Sequence, residues 1–125
     1  MKQLTKAEEE IMQVLWKIDS AYVKDIIDHL ESCPAYNTVS TIVRILEKKD
    51  FVSHDIVGKS HKYYPLITKE QYRAKYMNKV VKNYFKNSWK EVVNFFHKNE
   101  EISLKDLEEM QAMIQTEINR KKKES

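Results

Sequence analysis

Glycine occurs once in these 125 residues, cysteine once and proline twice. Each scarcity excludes something. With a single glycine there is no Gly-rich loop to cradle a nucleotide's phosphates. With a single cysteine, Cys33, there is no internal disulfide, which suits a reducing compartment. No apolar run approaches the roughly 20 residues of a membrane-spanning helix. The N-terminal stretch Met1 to Glu8 turns acidic where a secretory leader is apolar, so a cytoplasmic location is expected. A strong excess of one charge is also missing. The 22 Lys/Arg against 19 Asp/Glu give a net +3, too weak by itself to argue for nucleic acid. The charge is uneven: residues 1–67 carry nine basic and ten acidic side chains, residues 68–125 thirteen and nine.

Catalytic and metal chemistry find little support. His29, His54, His61 and His97 show no close ligand spacing, and Cys33 stands apart from them. No nucleophile sits in a recognisable catalytic motif. Glu8-Glu9-Glu10 and Glu108-Glu109 read as acids on helix surfaces. Neither an enzyme nor a cofactor or metal centre is expected.

What is present is punctuation. The lone glycine, Gly58, lies between Phe51 to Val57 and Ser60 to Leu66, both rich in β-branched and aromatic residues. Gly58-Lys59 therefore reads as the two-residue turn of a hairpin, with Pro65 at an edge. Four Ser/Thr residues are followed three positions later by an acid or amide: Thr5/Glu8, Thr68/Gln71, Ser88/Glu91 and Ser103/Asp106. Each pair can cap a helix start, and each precedes an amphipathic run.

The first helix spans about Lys6 to Ile18, with Ala7, Ile11, Leu15 and Ile18 on one face and Met12 and Val14 beside it. The second spans about Tyr22 to Leu30. Cys33-Pro34-Ala35 breaks the chain. The third starts near Tyr36 and buries Val39, Ile42, Val43 and Leu46. After Thr68 come a long helix over Lys69 to Asn87, a short one from Ser88 and a last one from Ser103. The tail, Lys121 to Ser125, is expected to fray. The fold class is mainly α with a small β-hairpin. A winged helix-turn-helix over 1–67 is expected to meet DNA, and a three-helix region over 68–125 to dimerise through its wide apolar stripes. The alternative is that these helices fold back on the first 67 residues as one monomeric core.

Opposite the buried side of the third helix stand Asn37, Thr41, Arg44 and Lys48, with Ser40 on the margin and Thr38 in the first turn. Asn pairs with adenine, Thr offers a hydroxyl and a methyl, and Arg forks onto guanine or phosphate. Asn37, Thr38 and Thr41 are assigned to base edges, Arg44 and Lys48 to phosphates. Taken alone this face fits a solvated helix surface better than a DNA reader. The hairpin shifts the balance, because Lys59, His61 and Lys62 put cations where a wing meets the duplex. The basic side of the long helix, which includes Lys69, Arg73, Lys79 and Lys86, reads as a solvated face before a second DNA surface. The rival reading is a winged helix that docks protein and binds no specific DNA.

Leu4-Thr5-Lys6-Ala7-Glu8-Glu9-Glu10-Ile11-Met12-Gln13-Val14-Leu15-Trp16 resembles the opening helix of the penicillinase and methicillin-resistance repressors (BlaI/MecI). Thr38 to Lys49 is similar to their recognition helix, and Gly58-Lys59 with Tyr63 and Pro65 to their wing. The resemblance continues through Asn94-Phe95 to the last helix. It implies a homodimer repressing transcription from a palindromic operator. It matches Thr38 and Thr41 to base-contacting threonines, and Asn37 to a base-contacting position usually held by another residue. It also implies inactivation by proteolysis at an Asn-Phe bond, here Asn94-Phe95, after a membrane metalloprotease sensor detects a β-lactam. Phe95, off its helix's apolar stripe, fits a dimer-interface aromatic equally well. Three departures stand out. Asp50 replaces a frequent glycine, so that turn is expected to differ. Lys59 replaces a wing arginine and loses its fork. The cysteine cluster of the copper-responsive branch is absent, which argues against copper sensing.

Overall fold

A computed structural model describes residues 3–124. The element order is α1 (Lys6–Ile18), α2 (Val23–Asp28), α3 (Tyr36–Lys48), β1 (Val52–Val57), β2 (Ser60–Pro65), α4 (Lys69–Tyr84), α5 (Trp89–Lys98) and α6 (Leu104–Glu124). These residues form two compact units that divide within α4, between Met77 and Asn78.

In the first unit α1, α2 and α3 enclose a core of Ile11, Met12, Leu15, Ile26, Val39, Val43 and Leu46. Phe51, Val52, Tyr63 and Ile67 close it from the hairpin side. Each such side chain contributes about 1.5–3 kcal/mol by leaving water. The strands are antiparallel, with Val57 opposite Ser60 and Val52 opposite Pro65, so Gly58-Lys59 is the two-residue turn. Gly58 has φ +64 and Lys59 does not share a positive φ, the pattern of a turn that wants glycine first. Ala21 forms a separate single antiparallel bridge to Tyr63 of β2, exchanging backbone hydrogen bonds of 2.8 and 2.9 Å.

The unit extends past residue 67 because Tyr72 is tied into it. Its hydroxyl accepts the Leu4 N–H at 3.0 Å, and its ring lies 5.9 Å from both Trp16 and Phe51. Trp16 in turn donates its indole N–H to the Ile67 carbonyl at 2.8 Å.

All four expected caps form. Thr5/Glu8 and Thr68/Gln71 close in both directions, whereas Ser88 and Ser103 accept only from the backbone N–H groups of Glu91 and Asp106. Several expectations need correction. Ala7 is exposed, and Met12 takes the centre of the α1 stripe. Glu8 is not a surface acid: it is 4% exposed and receives the Lys49 ammonium at 2.8 and 2.9 Å. Helix α2 is shorter at both ends, because Tyr22 is extended as its N-cap and His29 ends it. Helix α4 stops at Tyr84, since Lys86 and Asn87 turn left-handed to present Ser88 as an extended cap for α5. Lys121 to Glu124 are helical, not frayed; Ser125 lies outside the described residues. Arg120 bonds Glu117 and Glu124, one turn to either side, pairs that support a helix, and Lys121 to Lys123 suit the negative end of its dipole.

The Asp50 turn resolves as a left-handed helix stop. Asp50 has φ 65. Its N–H bonds the Glu47 carbonyl, and the Phe51 N–H bonds that of Leu46, the double closure that normally uses glycine. Asp50→Gly should therefore stabilise the protein by about 1 kcal/mol, read as a rise in urea midpoint. An unchanged or lower midpoint would contradict the strain.

Candidate nucleic-acid interface

Helix α3 begins with Ala35 as N-cap, extended after Pro34, and no side chain caps it. Its first turn carries no acid, so the positive end of its dipole is unopposed. Val39, Val43 and Leu46 are completely buried. They fix the helix's rotation and turn Asn37, Thr38, Thr41, Arg44 and Lys48 outward, all exposed. Ile45, 41% exposed, stands among them as an apolar contact.

The outward residues differ in freedom. The Thr41 hydroxyl donates back to the Asn37 carbonyl at 2.8 Å, so its methyl and an acceptor lone pair remain outward. Lys48 has no ion pair among the described residues, whereas its neighbour Lys49 is consumed by Glu8. Ser40 is 8% exposed, facing inward, and its hydroxyl accepts from the Arg44 guanidinium at 2.9 Å.

The hairpin stands against α3. His54 pairs with Glu47 at 2.8 Å, and its ring stacks on His61 with centroids 4.1 Å apart and planes 9° off parallel. This clamp fixes the strands relative to the last turn of α3. Burial raises the Tyr63 phenol above its ordinary 10.0, with the nearby Glu47 carboxylate adding to the effect, so it stays neutral.

Between α2, α3 and the hairpin lies a cleft of about 580 Å³. Arg44, Lys59, His61 and Ser40 line it together, so four of the residues marked in the sequence converge there. Lys62 does not join them; its ammonium sits 5.5 Å from the Tyr22 ring centroid. Asn37, Thr38, Thr41 and Lys48 also lie outside the cleft lining, on the open face of α3. Sequence reasoning missed Tyr22 and Tyr36, which also line the cleft. Tyr36 had a usable signal: it stands four residues before Ser40 and eight before Arg44, on one side of the helix. Tyr22 had none, because it comes from the extended cap before α2, not from α3.

Asn94 and Phe95 belong to the second unit, mid-way along α5. Asn94 is exposed and Phe95 is 48% exposed, edge-on to Phe85 at 5.6 Å and to Phe96 at 5.4 Å. Among the described residues no group of three His, Cys, Asp or Glu could hold a metal ion, and no helix is long and apolar enough to cross a membrane.

A family model described as penicillinase repressor matches residues 4–116. The chain belongs to the penicillinase repressor family. Its members are DNA-binding transcriptional repressors, not enzymes. The chain is 25% identical over 122 residues to the penicillinase repressor of Bacillus licheniformis, covering 96% of this chain and 95% of that one. It is 23% identical over 114 residues to the methicillin resistance regulatory protein MecI of Staphylococcus aureus strain N315, covering 90% and 93%. The solution structure of the DNA-binding domain of the repressor BlaI matches with 32% identity and a TM-score of 0.50, over 56% of this chain and 88% of that domain. A winged helix, as read from the hairpin and the three preceding helices, is the family's DNA-binding fold.

Proposed function

We propose that the protein is a sequence-specific repressor that binds a two-fold-symmetric operator as a homodimer, with residues 1–67 on the DNA and 68–125 pairing the subunits. The carrying observation is the open face of α3, where Asn37, Thr38 and Thr41 are all exposed at the uncapped end of the helix. Asn37, Thr38 and Thr41 read base edges; Arg44 and Lys48 hold phosphates; Lys59, His61 and Lys62 carry the wing to the backbone. Pairing is supported by the second unit, in which α5 and α6 contain no buried residue. Trp89, Leu104, Met113 and Ile114 are half or more exposed there. An apolar groove of about 480 Å³ runs between Val93 on α5 and Leu107 and Ile114 on α6. A second copy offers the same stripe back, as a closed symmetric interface requires.

Repression ends by proteolysis at Asn94-Phe95, downstream of a membrane metalloprotease that senses a cell-wall or β-lactam signal. Supporting this, the bond lies in a helix with no buried residue, so opening it for a protease is inexpensive.

Selection of bound duplexes from a random pool tests the reading, and a two-fold-symmetric site is the expected product. Arg44, Lys48 and Lys59 from two subunits make about six phosphate contacts, so affinity should fall about 10³-fold between 50 and 200 mM salt. Thr41→Ala should relax sequence preference, while Lys48→Ala should weaken all duplexes alike. Equal binding of every duplex, or none, would leave a protein-docking module as the better account.

A further inference from the structure

The cleft between α2, α3 and the hairpin has an excess of positive charge among the described residues, with Lys24, Arg44 and Lys59 against the single carboxylate of Asp25. Arg44 and Lys59 line it, and neither has a carboxylate in ion-pair range among the described residues. Lys24 adds a third cation. The one carboxylate on its lining, Asp25, is engaged in accepting the Tyr22 N–H at 3.1 Å. His61, held by its stack on His54, lines the same wall as the wing tip. Arg44 is also held in place. Its guanidinium donates to the hydroxyl of Ser40, a residue only 8% exposed. That bond uses one of five N–H donors and leaves the rest for a guest.

Resting on the DNA reading above, we infer that this cleft seats one backbone phosphate of the bound duplex, with Arg44 as its fork and Ser40 as the positioning residue that aims Arg44. The margin position assigned to Ser40 in the sequence then becomes an indirect one: Ser40 acts through Arg44 and does not touch DNA. The cleft suits a phosphate in particular because a rigid guanidinium matches two oxygens of a tetrahedral anion. Tyr22 and Tyr36 flank it as a wall for the neighbouring deoxyribose. Fixing a flexible side chain before binding removes an ordering cost that would otherwise reduce affinity.

The test uses the full-length protein and the symmetric duplex recovered by selection, with affinity measured across a salt series. Arg44→Ala should flatten the slope of log affinity against log salt by about 0.9 per subunit bound. Ser40→Ala should weaken binding about fivefold per subunit bound, the scale of one lost hydrogen bond in each. In the Arg44→Ala background the same Ser40→Ala change should do nothing, because its only route is through Arg44. A duplex with one neutral methylphosphonate placed at successive positions should show one phosphate in each half-site whose loss hurts the wild type and not Arg44→Ala. Equal Ser40→Ala losses in both backgrounds would make Ser40 merely structural. An unchanged slope for Arg44→Ala would empty the cleft of phosphate while leaving the repressor reading intact. A wild type that binds no duplex would remove both. Saturable binding of inorganic phosphate to the free protein at low millimolar concentration, abolished by Arg44→Ala, would instead make this a small-anion site and overturn the backbone assignment.

Discussion

Ile114→Glu should convert the protein to a monomer and weaken operator binding by about 10²–10⁴-fold. Ile114 is 50% exposed within one chain, so a charge there costs little in the isolated subunit; surface changes usually stay within about 0.5 kcal/mol. In the proposed dimer the same position lies in the groove with Val93, Leu104, Leu107 and Met110. A carboxylate from each subunit would be buried there, at a penalty of several kcal/mol per ion. Two half-sites linked through the interface bind far better than one, because the second contact is intramolecular. Sedimentation should report half the mass, gel shift the lost affinity, and circular dichroism the retained helices. Cutting between Asn94 and Phe95 should release DNA in the same way, with two fragments identified by mass. A wild type that sediments as a monomer while holding its operator tightly would sink the dimer reading.

Lys49→Met should destabilise the winged helix by about 3 kcal/mol, the scale of removing one partner from a buried ion pair. For a unit of this size that corresponds to a fall in melting temperature of roughly 10–20 °C. The Glu8 carboxylate accepts both Lys49 bonds and the Thr5 N–H, so it joins the start of α1 to the end of α3. Burial pushes its pKa up, but the bond from Lys49, the Thr5 hydrogen bonds and the ammonium's charge together outweigh burial and hold it below its ordinary 4.5. The sign follows. A carboxylate whose pKa is lowered by folding contributes stability above its unfolded value, and that contribution fades as pH falls through the lower folded value. The gap between wild type and Lys49→Met should therefore be full above pH 4.5 and narrow below it. Glu8→Gln should show less acid dependence in that window. A gap that stays constant down to pH 2 would argue against the ion pair as the source.

Local chemistry, which the order of residues carries, decided much of this protein. Gly58 marked the turn because few other residues take a positive φ cheaply. Thr5, Thr68, Ser88 and Ser103 marked four helix starts because a hydroxyl three residues from a backbone N–H is itself a local contact. Val39, Val43 and Leu46 turned Asn37, Thr41 and Lys48 outward through the helical period alone. Where distant segments meet, the order of residues was silent. Glu8 read as one of three surface acids because Lys49 lies 41 positions away. Tyr72 read as the start of a separate region because Leu4 lies 68 positions away. Arg44 was legible as outward and Ser40 as marginal, but not that Ser40 is buried and accepts from Arg44. The cleft they share with Tyr22, Lys59 and His61 is built from three elements, and no periodicity within one element encodes the distance to another. Side-chain type and spacing set the helices, the turn and the outward face of α3; only packing between elements determined which charges are neutralised and which remain unpaired among the described residues.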